Sequence, residues 1–234
     1  MTDIHCHLLF GVDDGADTRE MSILMLREAK AQGIDKIILT PHYRPGMFDY
    51  DKEKIEAAFD SLKKDALDND ISIYLGCEYH VDGYMTENIR AGSIHTLADR
   101  DYVLCEYKYQ SSYGAVRSSI NELLSSGYTP VIAHAERYAL FEEKPEIMQE
   151  FRNMGALIQI NAGSIVGAEG RSIKRLCKKA LKLDLVDIVA SDSHNIKDRR
   201  CYMKEACVYV AKKYGEERAV KLFEKNPAGI LENE

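Results

Sequence analysis

Seven short apolar runs, each separated from the next by a stretch with helical periodicity, set the narrowest limit on what this chain can become. They fall at residues 3–7 (DIHCH), 36–40 (KIILT), 71–75 (ISIYL), 102–105 (YVLC), 130–133 (PVIA), 157–160 (LIQI) and 186–190 (VDIVA). Between and after them, helical spacing of apolar residues predicts helices near 19–32, 51–67, 114–126, 145–154 and 171–182, then two between 198 and 225. Asp17 and Glu20 fit a capping box for the first helix, and Gly33 fits its end. Strands apolar on both faces and alternating with helices predict a parallel sheet covered on both sides. Such a sheet either closes into a barrel or stays open and doubly wound. Closure is expected here, because potential ligands follow six different strands, and only a closed barrel readily brings six strand ends to one point.

Those ligands begin with the opening run. A period-2 strand places His5 and His7 on one face, with Ile4 and Cys6 on the other, so two imidazoles emerge side by side. A lone His-x-His is often incidental, but five of the seven histidines lie in similar segments: DIHCH, TPHY (40–43), AHAERY (133–138) and ASDSH (190–194). Carboxylates recur at the same strand ends, where one alone would pass for a helix cap or a solvated charge. The set is His5, His7, Asp14, His42, Glu78, Glu106, His134, Asp192 and His194. Nine donors are too many for one ion and suit two or three. Mixed nitrogen and oxygen donors without thiolate favour manganese, iron, zinc or cobalt over calcium or magnesium. Three divalent cations against four carboxylates leave a positive balance, suited to an anionic substrate such as a phosphate dianion.

Composition narrows the alternatives. A net charge of −7 argues against a nucleic-acid partner, which would select a basic face. No basic, then apolar leader and no apolar stretch near the roughly 20 residues of a membrane span are present, so a cytoplasmic protein without membrane insertion is expected. Scattered glycine and proline, with no repeat or linker, predict one domain over residues 1–234. The six cysteines form no C-x-x-C pair, and reduced buried thiols are expected. None has the arginine six residues on that a cysteine-dependent tyrosine phosphatase needs. The G-x-x-x-x-G-K, G-x-S-x-G and H-E-x-x-H motifs are likewise missing. Metal-assisted hydrolysis is the option left.

In order and spacing, DIHCH, DDGA, TPHYRPGMF, GCEYH, HAERY, QINAGS and SDSHN resemble the polymerase and histidinol phosphatase (PHP) superfamily, and within it the bacterial capsule-type manganese-dependent protein-tyrosine phosphatases. The resemblance runs from Asp3 to Asn226-Pro227 and implies a distorted (β/α)7 barrel with a three-metal site at the carboxyl ends of the strands. It implies one ion held by His5, His7, Glu78 and Asp192, a second shared through Glu78 with Glu106 and His134, and a third held by Asp14, His42 and His194. Arg137 and Arg199 match the family's phosphate-binding arginines, a role suited to the guanidinium fork. Water activated at the metals is then expected to attack phosphorus in line, with Asp192 or His194 available to assist the leaving group. The implied substrate is a phosphotyrosine protein, a cytoplasmic tyrosine kinase of polysaccharide export. A small-molecule phosphatase of the histidinol-phosphate type, or a related nuclease, is the first alternative; a deep lined pocket would favour it, and a shallow open mouth the protein phosphatase. A metal-binding regulatory module without turnover is the second. His80 stands where the family more often has an aromatic residue, and Tyr43 where it has a basic residue or histidine; both bear on the rim. His95 has no assigned role.

Overall fold

The structure is a computed structural model and describes residues 1–232. Its strands and helices follow in order: β1 (Thr2–Cys6), α1 (Arg19–Ala31), β2 (Lys36–Leu39), β3 (His42–Tyr43), α2 (Lys52–Asp68), β4 (Ser72–Leu75), β5 (Glu78–His80), α3 (Met85–Arg90), β6 (Tyr102–Glu106), α4 (Tyr113–Ser125), β7 (Thr129–Ile132), α5 (Ala139–Glu143), α6 (Ile147–Met154), β8 (Leu157–Asn161), α7 (Ala162–Val166), α8 (Arg171–Lys182), β9 (Ile188–Ala190) and α9 (Met203–Tyr214). Short helical turns close the described chain. All strand pairs are parallel, in the ladders β1-β2-β4 and β3-β5-β6-β7-β8-β9.

The seven expected strands are present as seven paths, two of them interrupted. Thr40-Pro41 separates β2 from β3, and Gly76-Cys77 separates β4 from β5. Proline brings no N–H to the ladder. At Gly76 a Cβ would lie 2.9 Å from the Ile38 side chain, so the chain passes too close there for any other residue. Beyond each break the path re-pairs in the larger sheet, with His42 opposite Glu78 and Glu78 opposite Leu104. Closure comes from the segment after β9: Asp192 N–H donates to His5 O (2.8 Å), and His7 N–H to Ser193 O (2.9 Å). The result is the distorted (β/α)7 barrel expected from the sequence.

Two apolar cores fix the strand faces. Ile4, Ile38, Leu104, Val131, Ala133, Ile188, Ala190 and Ile230 fill the barrel interior, while Leu39, Cys105, Ile132, Ile158 and Ile160 pack outward under the helices. β1 departs from the simple alternation expected of it. Asp3 pairs with Ile37 and Cys6 with Leu39, so three steps along β1 face two along β2, which is a β-bulge. Ile4 consequently joins the interior core and Cys6 the outer one, instead of sharing a face, while His5 and His7 both reach Glu78. The first helix also begins differently from expectation: Thr18, not Asp17, is its cap, accepting from Met21 N–H at 3.2 Å. The helix expected near 145–154 is present as α6, and the short α5 ahead of Pro145 is an addition to the expected elements. Among the described residues no helix is long and apolar enough to cross a membrane, and all six cysteines are free thiols.

Candidate metal centre

The nine candidate ligands converge at the carboxyl ends of the strands. Glu78, 1 % exposed, is the centre: its Oε2 lies 3.2 Å from His5 Nε2, 3.2 Å from His7 Nε2 and 3.1 Å from His42 Nδ1, and its Oε1 lies 2.7 Å from His134 Nε2. Asp192 Oδ1 stands 3.5 Å from His5 Nε2 and 3.6 Å from His7 Nε2. Asp14 Oδ1 is 3.4 Å from both His42 Nε2 and His194 Nε2. Three sets offer donor atoms within 4.8 Å of one another: His7, Asp14, His42 and His194; His5, His7 and Asp192; His42, Glu78 and Glu106. These sets overlap the grouping implied by the resemblance without reproducing it. His7 also falls with the third group, and His42, in place of His134, falls with Glu78 and Glu106.

The electrostatics are those of a site built around positive charge. Burial pushes the Glu78 carboxyl up, but the His5 and His42 charges and the His134 hydrogen bond outweigh it and hold Glu78 well below the usual carboxylate range. Asp192 is likewise held low against its burial by His5, Arg137 and His194. His5 and His7 go the other way: burial would lower them, and Glu78, Asp192 and Asp13 raise them instead. His194 is lowered to about 4, by burial first and then by the His7 charge. That lowering favours the neutral imidazole, the form that offers a lone pair to a cation. His42 Nδ1 and His194 Nε2 are buried and make no aligned hydrogen bond, although carboxylate oxygens stand 3.1 and 3.4 Å away. Orphaned imidazole nitrogens beside depressed carboxylates, with no thiolate among the donors, fit divalent cations.

Several residues around the cluster went unassigned at the level of sequence. Asp13 Oδ2 accepts from His7 Nδ1 (2.8 Å) and from His42 N–H (3.1 Å), setting the ring that faces Glu78. His80 holds Glu106, Nδ1 to Oε2 at 2.8 Å. The Tyr138 hydroxyl lies 3.2 Å from His134 Nδ1. Adjacency in DDGA and HAERY was the available signal for Asp13 and Tyr138, and membership of QINAGS that for Gln159; Glu169 had none. His134 and Asp192 both adopt left-handed backbone, φ 30° and 49°, which non-glycine residues hold only when their surroundings impose it. Gly15 makes the tightest approach: a Cβ there would collide with the His7 carbonyl oxygen and lie 2.6 Å from His7 Cβ. Gly15→Ala is expected to displace the Asp13-Asp14 loop, costing about 1–3 kcal/mol of stability and weakening metal binding. Thermal unfolding with and without added Co2+ measures both.

The arginines sit at the mouth. Arg137 Nη1 reaches Asp192 Oδ2 (2.9 Å) and its Nε reaches Glu169 Oε2 (2.7 Å). Arg199 spans Asp14 Oδ2 (3.3 Å) and Asp192 Oδ1 (3.4 Å). A cavity of about 370 Å3 opens above, with Arg44, Met47 and Phe48 on its edge. Phe48 stacks on His42 at 5.2 Å. The side chains of Asp14 and Arg199 remain 44 % and 40 % exposed, so the mouth opens directly to solvent. Tyr43 stacks on Tyr79 at 4.6 Å against the outer core, and His95 lies elsewhere, between Glu56 and Asp99.

A closed parallel barrel that brings five imidazoles and four carboxylates to one end of its strands defines a metal-centred α/β barrel. The chain belongs to the family described as capsular polysaccharide synthesis, CpsB/CapC, whose model matches residues 1–232. It is 37 % identical to the tyrosine-protein phosphatase CpsB of Streptococcus pneumoniae over 99 % of this chain and 98 % of that protein. To the tyrosine-protein phosphatase YwqE of Bacillus subtilis it is 34 % identical, over 100 % of this chain and 92 % of the relative. A solved structure from a study of YwqE and CpsB, described there as metal-dependent tyrosine phosphatases, superposes with a TM-score of 0.93 at 33 % identity, covering 99 % of this chain and 94 % of the other. The histidinol phosphate phosphatase of Lactococcus lactis shares the fold, with a TM-score of 0.60 at 18 % identity over 95 % of this chain and 96 % of the other.

Proposed function

We propose that this chain is a metal-dependent phosphatase that removes phosphate from phosphotyrosine in proteins, its substrate a cytoplasmic tyrosine kinase of capsular or extracellular polysaccharide synthesis. The observation that carries the reading is the buried nine-ligand cluster with two arginines directly over it. His5, His7, Asp14, His42, Glu78, Glu106, His134, Asp192 and His194 would hold the cations, three by the number of donors, with manganese first and iron, zinc or cobalt also suited to them. When bound, such cations lower the pKa of water to give a nucleophile at neutral pH and neutralise the phosphoryl oxygens. The chain's own groups do the rest. Arg137 and Arg199 are long enough to leave Glu169 and Asp14 for the equatorial phosphoryl oxygens, where charge builds in the transition state. Asp13 and the barrel wall hold the imidazoles in place, and Met47 with Phe48 gives the mouth an apolar edge for a phenyl ring. A phenolate leaves readily and needs little acid help, and Asp192 or His194 is the group to assist it.

The open mouth favours a protein side chain over a small molecule enclosed on all sides, and residues 1–234 are taken as one domain. The test is turnover of a phosphotyrosine peptide beside histidinol phosphate, with Mn2+, Fe2+, Zn2+ or Co2+ added back to stripped protein. Higher kcat/KM on the peptide is expected; preference for histidinol phosphate, or no turnover of either with metal bound, would overturn the reading.

A further inference from the structure

β8 is the strand path whose end supplies none of the nine candidate ligands, yet its inward-facing residues are polar. Ile158 and Ile160 pack outward, while Gln159 and Asn161 lie inside the barrel at 0 % and 1 % exposure. Primary amides buried there are costly unless their polar atoms are met. Their contacts run to the cluster. Gln159 Oε1 is 2.8 Å from His134 N and 3.2 Å from His5 Nδ1. Gln159 Nε2 is 2.9 Å from Asn161 Oδ1, and Asn161 Nδ2 is 2.8 Å from Asp192 Oδ2.

One donor sets the direction of this chain. A backbone N–H can only donate, so the Gln159 atom facing His134 N must be the carbonyl oxygen. His5 Nδ1 meets the same oxygen and must carry a proton, whatever the charge of the ring. That leaves Nε2, the nitrogen facing Glu78 and Asp192, as the one able to offer a lone pair. The Gln159 amide nitrogen can only donate, so Asn161 turns its carbonyl to Gln159 and its amide nitrogen to Asp192. Asp192 Oδ2 then accepts from both Asn161 and Arg137, and Oδ1 is the oxygen turned toward His5 and His7.

We infer that Gln159 and Asn161 form a positioning relay, which fixes from the His134 N–H both the nitrogen of His5 and the oxygen of Asp192 presented to a metal. The inference rests on the metal-centre reading above. It gives the QINAGS segment a task, and it ties ligands on β1 and just after β7 and β9 to one strand that supplies none of the nine. Both amides act through other residues, so their loss changes how metal is held before it changes any contact with substrate.

Gln159→Glu tests this with almost no change of shape. A carboxylate still accepts from His134 N–H and His5 but cannot donate to Asn161, so the order of donors breaks beyond it. Asn161→Asp sets two carboxylates face to face. Each is expected to weaken Co2+ binding by about 10- to 100-fold in calorimetry and to alter the visible spectrum of bound Co2+, with circular dichroism unchanged. Folded variants whose Co2+ affinity stays within about twofold of wild type, with an unchanged spectrum, would overturn the relay. Should both variants fail to fold, the tautomer of His5 in Zn2+-loaded wild type decides, by 15N-1H correlation spectra: a proton on Nδ1 supports the relay, and one on Nε2 overturns it. His7→Ala serves as the ligand control. Wild type that binds no more Co2+ than His7→Ala would overturn the metal-centre reading itself, and the relay with it.

Discussion

Chelation of the purified protein is expected to abolish hydrolysis of a phosphotyrosine peptide, and thiol alkylation to leave it intact. A phosphomonoester dianion repels nucleophiles. Removing the cations takes away both charge neutralisation and the activated water, each worth several kcal/mol, so a loss on the order of 10³-fold or more is anticipated. Adding back Mn2+ should restore turnover. The thiols offer no alternative nucleophile: Cys6, Cys77, Cys105, Cys177 and Cys201 are buried, and burial raises the pKa of every one of them and of Cys207. His42→Ala should lose metal and activity together, since it removes a donor that lies in two of the three ligand sets. Inactivation by iodoacetamide with fold and metal content unchanged would refute this account.

The barrel was legible because its signal is repetitive: seven apolar runs, six of them a short step from a candidate histidine or carboxylate ligand. Single irregularities were not. The bulge that sends Ile4 and Cys6 to different cores depends on how β1 pairs with a strand some thirty residues away, and period 2 within one run contains no trace of it. The breaks at Thr40-Pro41 and Gly76-Cys77 had local markers, a proline and a glycine, but their consequence, transfer of the path to the larger sheet, is tertiary. The ligands could be found because imidazoles are scarce and clustered in this chain. The groups that orient them, Asp13, Gln159, Asn161 and Tyr138, are ordinary polar residues whose meaning comes from burial against particular atoms. Nor was Glu169 legible as the partner of Arg137, 32 residues away.

That partner sharpens the second large effect. Arg137→Ala is expected to lower kcat/KM on a phosphotyrosine peptide by about 10²-fold, corresponding to ~3 kcal/mol of transition-state stabilisation. Metal content and melting temperature should stay near wild type. The competing account is that Arg137 is a rim ion pair, as its contacts with Glu169 and Asp192 would suggest alone. The two differ in what loss of the side chain leaves behind. Asp192 Oδ2 keeps the Asn161 amide and its Oδ1 keeps the imidazoles, so the carboxylate stays satisfied. Glu169 keeps the Ser164 hydroxyl at 2.8 Å and is itself a quarter exposed, so little stability is at stake there. Glu169→Gln provides the complementary variant: it removes the charge that draws Arg137 sideways but leaves the guanidinium free for phosphate, and it should lower kcat/KM by no more than about fivefold. If Arg137→Ala lowers the melting temperature but leaves peptide turnover within about twofold, the arginine serves the rim and its assignment to phosphate is wrong.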